Sequence, residues 1–453
     1  MRMLGFFLVL TLAVTASSQF TNIFLAAKAL SNPTMMNDMD REVAVFLRLK
    51  ASMSKEEECL PVRVSGMGQI DVQYLSCSEI ARIRDGESFR VSESITVPEG
   101  ISRRVNFWRR VYSLWSKNQY VIHVSDFPAV VLEIHDSSRI ADLGDKTREK
   151  VMKPWLNIRK RQYQEILLKL ASLKVIDATR LTATENRVFH LFDDIKDPNK
   201  FRIAAANLRV QRGQREYIAK GLEVAPKYLP HAEAEFKKQG LLPEFARIAF
   251  IESSFNLQAL SKVGASGVYQ VMPETGRDYL IVTGEIDERN DPIKASRAAA
   301  KLLAMNYKIL GEWPLAVTAY NHGVGGISRA MRERGTSDIV TLINKYDGAN
   351  FGFASKNFYS GFLGLLATLK NSAKVFPDVK TVEPLRFDMV RVGGLSLAEV
   401  KSKFKLNNGT ISALNPDIGR SFLRSGGVFP ERYVLKVPPR APATLVKLAS
   451  WTP

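Results

Sequence analysis

Residues 247–280 read RIAFIESSFNLQALSKVGASGVYQVMPETGRDYL, and this stretch places a carboxylate where a helix should be apolar. Three apolar residues precede Glu252 on its own helical face: Phe245, Ile248 and Ala249. Because ionisation is costly on an apolar face, burial should raise the pKa of Glu252, so that it holds a proton near neutral pH as a general acid does. The alternative is that Glu252 is an ordinary partner in a buried ion pair.

The loop that follows the glutamate has the composition of a ligand-binding groove. Gly264 and Gly267 let the backbone approach a ligand closely, and Tyr269 offers an aromatic face beside Gln270. A structural turn would need the glycines alone. The loop ends where a proline-capped helix is predicted to begin, near Glu274.

Five short motifs resemble those of the lytic transglycosylases with a goose-lysozyme-like catalytic domain. Their order and spacing agree across about residues 229–369. The motifs are Glu252-Ser253, Gly267-Val268-Tyr269-Gln270, Val271-Met272-Pro273, Ala319-Tyr320-Asn321 with Gly323, and Lys356-Asn357-Phe358-Tyr359.

The resemblance implies cleavage of peptidoglycan glycan strands between N-acetylmuramic acid and N-acetylglucosamine, without a cofactor. Glu252 would first protonate the bridging oxygen and then, as a carboxylate, take a proton from the C6 hydroxyl, which closes a 1,6-anhydro ring. One alternative is a hydrolytic muramidase or chitinase on the same fold, with Asp287, Glu288 or Asp291 as the base that positions water. The other is a non-catalytic peptidoglycan-binding protein.

The resemblance also implies supporting roles around Glu252. Ser253 would hold the glutamate in place, and Tyr320 would form a hydrogen bond with it. Asn321 and Gln270 would bind sugar or brace the groove. The remaining substrate-binding or supporting candidates are Gly267, Met272, Tyr269 as an aromatic face for a sugar, and Phe358 or Tyr359, one of which would face the groove.

The N-terminus resembles a secretory signal. Residues 1–16 read MRMLGFFLVLTLAVTA, with a basic Arg2, an apolar run from Leu4 to Val14 and small residues after it, so residues 1–18 are predicted to be a signal peptide. The run is too short for a transmembrane helix of roughly 20 residues. We expect an exported protein, periplasmic or associated with the cell envelope, with an uncleaved anchor as the alternative.

The chain is strongly basic. Its 453 residues include 64 lysines and arginines against 46 acidic residues, for a formal charge of +18. Nucleic acid is the usual partner of such a chain, but an exported protein meets anionic envelope polymers and peptidoglycan carboxylates instead. Simple solubility would explain the charge equally well.

The sequence predicts no metal site. Cys59 and Cys77 are the only cysteines, and in an oxidising compartment they favour a disulfide over a metal pair. The five histidines form no cluster with a cysteine or with one another at helical spacing.

The predicted fold is mainly α, with four regions in the mature chain. A mixed α/β region (19–136) precedes a helical lead-in (137–228) that should pack on a lysozyme-like catalytic domain (229–373). In the lead-in, the basic run Arg159-Lys160-Arg161 is interpreted as a solvated face. A linker (374–385) then leads to a C-terminal region (386–440).

Residues 386–440 resemble a LysM glycan-binding module. The pattern predicts strand, helix, helix and strand, with an insertion at residues 419–427 before the last strand.

Inside the catalytic domain, Asp291-Pro292 predicts a helix start and Gly311 its end. Gly323, Gly325 and Gly326 are expected to break the chain before the next helix.

Overall fold

The computed structural model describes residues 61–64, 72–74 and 89–439. The predicted signal peptide and both cysteines lie outside these residues. The described chain is mainly α, as predicted. It divides into two compact units, one of residues 61–64, 72–74 and 102–214 and the other of residues 89–101 and 215–439. Among the helices of these residues, none combines the length and apolar character needed to cross a membrane.

The strands are β1 (Pro61–Val64), β2 (Val72–Tyr74), β3 (Phe89–Arg90), β4 (Thr96–Val97), β5 (Gln119–Val124), β6 (Val131–Asp136), β7 (Leu208–Arg212), β8 (Asp388–Arg391) and β9 (Val434–Val437). The helices up to the predicted catalytic domain are α1 (Glu99–Ser113), α2 (Gly144–Ser172), α3 (Ala183–His190), α4 (Lys200–Ala206) and α5 (Arg215–Val224).

The helices that follow are α6 (Leu229–Lys238), α7 (Ile248–Ser253), α8 (Pro273–Tyr279), α9 (Pro292–Leu310), α10 (Trp313–His322), α11 (Val324–Arg334), α12 (Ile339–Lys345), α13 (Phe353–Lys370), α14 (Ser372–Val375), α15 (Leu397–Phe404), α16 (Asn408–Leu414) and α17 (Arg420–Ser425).

The first unit is built on a five-stranded sheet with the order β2-β1-β6-β5-β7. β1 and β6 run parallel, and the other neighbouring strands run antiparallel. The apolar stripe of α2, including Trp155 and Leu167, packs in one buried cluster with Tyr120 and Leu132 of the sheet.

Two sequence predictions for the first unit are wrong. The predicted helical lead-in contains a strand, β7, which pairs along the edge of β5; its alternating pattern is hidden by long polar side chains. Arg159 is not part of a solvated face. It is buried, and its guanidinium lies 2.8 Å from the carboxylate of Glu133, because a charge in the core needs an opposite charge beside it.

The second unit is centred on α13, which is buried on nearly every side, as expected of a helix whose residues are apolar all round. α7 and α10 pack against it. The predicted start of α9 is confirmed, because the Asp291 side chain accepts hydrogen bonds from the first free amides, and Gly311 ends the helix with a φ of 77°. The expected break at three glycines is wrong in part, since Gly325 and Gly326 lie inside α11.

The C-terminal module (residues 386–439) contains the predicted strands and helices. β8 and β9 pair antiparallel, and α15 and α16 lie between them in sequence. The predicted insertion forms a third helix, α17. The module's buried cluster includes Val400, Phe422 and Leu435, and also Ile286 from the segment between α8 and α9.

Candidate active site

Glu252 lies at the end of a short helix. A 3₁₀ turn (Pro243–Arg247) leads into α7, and Phe245, Ile248 and Ala249 are all buried, as the sequence pattern predicts. The helix stops at once after Ser253, because the next two residues adopt left-handed conformations, with φ of 53° and 59°. Such strain is kept where a fold needs a particular side chain presented. The abrupt end leaves Glu252 half-buried in the last turn.

The carboxyl group of Glu252 has an unusual acidity. Burial raises its pKa to about 8, and no charged group in the described part of the chain offsets this effect. Its position in the last turn acts in the same direction, because the carbonyl end of a helix disfavours a negative charge. Glu252 therefore holds a proton at neutral pH and can donate it to a bound ligand.

Ser253 contacts the backbone of a neighbouring loop. Its hydroxyl lies 3.0 Å from the carbonyl oxygen of Val268 and 3.1 Å from that of Ala249, and it accepts a hydrogen bond from the amide of Asn256. The expected direct hold on Glu252 is therefore indirect: Ser253 ties the end of α7 to residues 264–271, which we call the glycine loop.

The glycine loop requires its central glycine. Gly267 has a φ of 73°, and a Cβ atom there would lie 1.8 Å from the carbonyl oxygen of Arg289. Gln270 is also left-handed, with a φ of 47°. Its side-chain amide donates to the carbonyl oxygens of Gly267 and Ala259, at 2.9 and 3.3 Å. These bonds direct the Gln270 side chain onto the backbone of its own loop and of Ala259, and its role in binding sugar or bracing the groove stays a prediction.

Tyr269 does not offer its ring to a ligand, contrary to the sequence expectation. Its side chain is fully buried, packs near Phe236, and donates a hydrogen bond to the carbonyl oxygen of Ala246 at 3.0 Å. An aromatic side chain among glycines reads as exposed, but here its hydroxyl finds a partner inside the core.

Tyr320 connects the glycine loop to the surroundings of Glu252. Its hydroxyl donates to the backbone carbonyl oxygen of Tyr269 at 2.9 Å. Burial raises the pKa of Tyr320 well above its usual value, and the charge of Glu252 raises it further. The predicted bond to Glu252 is replaced by this one, although the hydroxyl oxygen can still accept a hydrogen bond from a protonated carboxyl group.

The last motif supplies a neighbour to Tyr320. The Phe358 ring stacks almost parallel to the Tyr320 ring, with centroids 6.3 Å apart. Tyr359 is buried as well, and burial raises its pKa. Of the two, Phe358 is the one with a described contact to the ring that lies near Glu252.

Two predicted residues are exposed. Met272 is 42% exposed at the start of α8. Asn321 is exposed at the end of α10, and its side-chain oxygen accepts a hydrogen bond from Ser355 at 3.2 Å. The Ser355 hydroxyl also lies 3.0 Å from Nδ1 of His322. Both Met272 and Asn321 are free to contact a ligand from the surface.

The sequence reasoning missed Arg289, whose side chain is bonded to the glycine loop. Its position two residues after Asp287 suits a local ion pair, and this spacing could have indicated a structural role for Arg289. Within residues 89–439, no three histidine or acidic side chains are grouped as metal ligands would be.

Comparisons with known proteins relate part of the chain to a family of transglycosylases. Residues 230–343 match the family model described as the Transglycosylase SLT domain. Membrane-bound lytic murein transglycosylase D of Escherichia coli strain K12 is 27% identical over 215 residues, which cover 45% of each chain. A putative tributyltin chloride resistance protein of Alteromonas sp. strain M-1 is 34% identical over 109 residues, 24% of this chain and 53% of that protein. The chain thus spans about half the length of the curated relatives it matches.

Two solved structures are also similar. An inactive mutant of lytic transglycosylase Slt from Pseudomonas aeruginosa is 21% identical with a TM-score of 0.28, covering 45% of this chain and 32% of that one. The 70 kDa soluble lytic transglycosylase of Escherichia coli is 17% identical with a TM-score of 0.29, covering 52% and 37%. The family match identifies residues 230–343 as a transglycosylase SLT domain, in a chain that is homologous over part of its length to membrane-bound lytic murein transglycosylase D.

Proposed function

We propose that this protein is a peptidoglycan lytic transglycosylase that cleaves the bond between N-acetylmuramic acid and N-acetylglucosamine. The observation that carries the proposal is Glu252, a single carboxyl group whose pKa burial raises to about 8 within a transglycosylase SLT domain. A group with this pKa is protonated before the reaction and can recover a proton afterwards.

The proposed reaction needs one carboxyl group. Glu252 gives its proton to the bridging oxygen as the bond from that oxygen to C1 of the muramic residue breaks. The resulting carboxylate removes the proton of the C6 hydroxyl, and the C6 oxygen bonds to C1 to form the 1,6-anhydro ring. No water is consumed and Glu252 ends protonated. Because the nucleophile belongs to the same sugar, its effective concentration is high.

Hydrolysis on the same fold is less well supported, because the candidate bases are engaged elsewhere. Asp287 forms a bidentate pair with Arg289 at 2.7 and 2.9 Å. Glu288 is buried against Lys294, at 3.1 Å. Asp291 is fully buried as the cap of α9. None of these carboxylates is free to orient water beside Glu252.

The other site residues take supporting roles in this proposal. Ser253, Gly267 and Gln270 hold the glycine loop, and Tyr320 with Phe358 forms a wall near Glu252. Asn321 and Met272 are exposed and would contact the glycan. Tyr269 supports the site from the core.

We further propose an envelope location, with residues 1–18 as a signal for export. The curated homologue is named membrane-bound, and the +18 charge suits a surface of anionic envelope polymers and peptidoglycan carboxylates. A LysM-like glycan-binding role for the C-terminal module remains part of the same proposal, supported by its strand and helix order.

Mass spectrometry of sacculi digested with the purified protein tests the reaction. Products with 1,6-anhydromuramic ends are expected from the native protein and not from Glu252→Gln. Reducing muramic ends would show hydrolysis instead. If both proteins bind sacculi but neither releases soluble product, the non-catalytic alternative would be favoured.

A further inference from the structure

Arg289 makes more polar contacts than any role in a simple turn needs. Its side chain is buried, and its Nε and Nη2 atoms donate to the two carboxylate oxygens of Asp287 at 2.9 and 2.7 Å. Its Nη1 atom donates to the carbonyl oxygens of Gly264 and Val271, at 2.7 and 3.1 Å. One guanidinium group therefore joins both ends of the glycine loop to a fixed carboxylate. Arginine suits this task because its donors form a rigid planar fork.

The backbone beside Arg289 also fits against the loop. Its carbonyl oxygen occupies the space where a Cβ atom of residue 267 would lie. The hydroxyl of Ser266 donates to the side-chain oxygen of Asn290 at 2.7 Å. The middle of the loop is thus held by the same segment that holds its ends.

Two carbonyl groups of the glycine loop accept hydrogen bonds from residues of the candidate active site, so the position of the loop affects the position of those residues. The Val268 carbonyl lies 3.0 Å from the Ser253 hydroxyl at the end of α7, and the Tyr269 carbonyl accepts from Tyr320. Ser253 is the next residue after Glu252. A shift of the loop would therefore move Ser253, which adjoins Glu252 in the chain, and Tyr320, which lies close enough to Glu252 to sense its charge.

Arg289 is itself held from the opposite side by a hairpin, residues 281–288. Val282 and Asp287 face each other in an antiparallel bridge, and the amide of Thr283 donates to the carbonyl oxygen of Ile286 at 2.8 Å. The carboxylate of Glu288 accepts from the amide of Ile281 at 2.9 Å. The hairpin thus fixes Asp287 and so the guanidinium group that Asp287 binds.

The C-terminal module packs against this hairpin and forms backbone hydrogen bonds with it. Ile286 is 1% exposed and belongs to the module's own core, and it pairs with Ile418 as a β-bridge. The amide of Asp287 donates to the carbonyl oxygen of Asp417 at 2.9 Å, and the amide of Gly419 donates to that of Glu285 at 2.7 Å. The module's core is incomplete without the hairpin.

A cluster of buried charges also links the C-terminal module to α9. Lys294 of α9 lies 2.8 Å from the Asp417 carboxylate, which also accepts from the Tyr433 hydroxyl at 2.7 Å. Lys436 of the module pairs with Asp291, the cap of α9. Buried pairs of this kind fix one geometry, because separating them leaves unpaired charges in the core.

We propose that Arg289 is a positioning residue for Glu252, and that the C-terminal module holds Arg289 in place by packing against the hairpin at residues 281–288. The module then acts as a brace of the active site, whether or not it also binds glycan. The kinetic part of this inference rests on the proposed transglycosylase function, whereas its structural part does not.

Hydrogen exchange of the full chain tests the brace without any activity. Arg289→Lys keeps the charge but loses the fork, and Gly419→Ala places a Cβ 2.8 Å from the Glu285 carbonyl oxygen and so pushes the hairpin away. We expect the amides of Gly267, Gln270 and Val271 to exchange at least about tenfold faster in both variants, with α13 unchanged. Arg277→Lys, an exposed change on α8, is the matched control and should leave the loop unaffected.

The pH dependence of product release supplies the second readout. A loosened loop admits water to Glu252, so the alkaline limb of the rate profile should move to lower pH in Arg289→Lys, with kcat reduced about tenfold or more and KM within about twofold. A loss of stability alone would lower the rate without moving the limb.

Unchanged loop exchange in both variants, or equal acceleration in the loop and α13, would overturn the proposal. If the native protein yields no anhydro product, the proposed function fails while the exchange result still decides the brace.

Discussion

Replacing Glu252 with glutamine should make the protein more stable at neutral and alkaline pH. The pKa of Glu252 is about 8 in the folded protein against an ordinary value of 4.5. Between these values the folded state binds more protons than the unfolded state, so the free energy of unfolding falls as the pH rises through this interval. Below pH 4.5 both states hold the proton and the penalty disappears. Glutamine has no charge to ionise and avoids the penalty at every pH.

The size of the gain follows from the same interval. At about 1.4 kcal/mol per pH unit, the whole interval would correspond to about 5 kcal/mol above pH 8 if none of it were screened. The half-buried position of Glu252 lets water screen part of this, which reduces the expected gain to about 2 kcal/mol. For a unit of this size, that corresponds to a rise in melting temperature of about 4–8 °C.

Thermal unfolding at pH 4, 6 and 8 measures this effect. The difference between Glu252→Gln and the native protein should be near zero at pH 4 and largest at pH 8. Glu223→Gln, which removes an exposed carboxylate from α5, should show no such trend. A difference that is the same at all three pH values, or a less stable variant at pH 8, would refute the assignment of Glu252 as a carboxyl group that is costly to ionise.

Three further results are expected. Gly267→Ala should lower kcat about a hundredfold, because its Cβ atom would lie 1.8 Å from the Arg289 carbonyl oxygen and the loop must move by about 1 Å or more to relieve the clash. Gly264→Ala is the control: a Cβ there would have its nearest atom at 3.4 Å, so the variant should show only the cost of a φ of 89°, about 1–2 kcal/mol in unfolding measurements. Tyr269→Phe should cost about 1 kcal/mol of stability through the lost hydrogen bond but leave KM for glycan unchanged. A large rise in KM would instead indicate that the Tyr269 side chain contacts the glycan. Lys436→Met should destabilise the folded protein by about 3–5 kcal/mol, since it leaves a buried aspartate unpaired; a neutral effect in denaturant titration would contradict the charge cluster.

Local patterns in the sequence were enough to predict several features of the second unit. The apolar face beneath Glu252 is confirmed because helical spacing fixes which side chains share a face. The start of α9 at Asp291 and its end at Gly311 are confirmed because capping depends on residues adjacent in the chain. The catalytic role of Glu252 stays a prediction.

Features that depend on distant main-chain atoms could not be predicted. The partners of Ser253, Tyr320 and Arg289 in the glycine loop are all backbone carbonyl groups. A carbonyl group belongs to every residue, so it leaves no mark in the sequence. The burial of Tyr269 was missed for a related reason, since loop composition does not reveal on which side of the loop the core lies.

The position of Ile286 has a consequence for how such chains can be recombined. Its side chain completes a core whose other fully buried members begin at Val392, more than a hundred residues later. Because packed interiors have no spare volume, a larger neighbour in that core would require a smaller residue at position 286. The C-terminal module is therefore not a cassette that can be exchanged at residues 374–385. A functional transplant would have to carry the hairpin at residues 281–288 with it, and the two segments must change together.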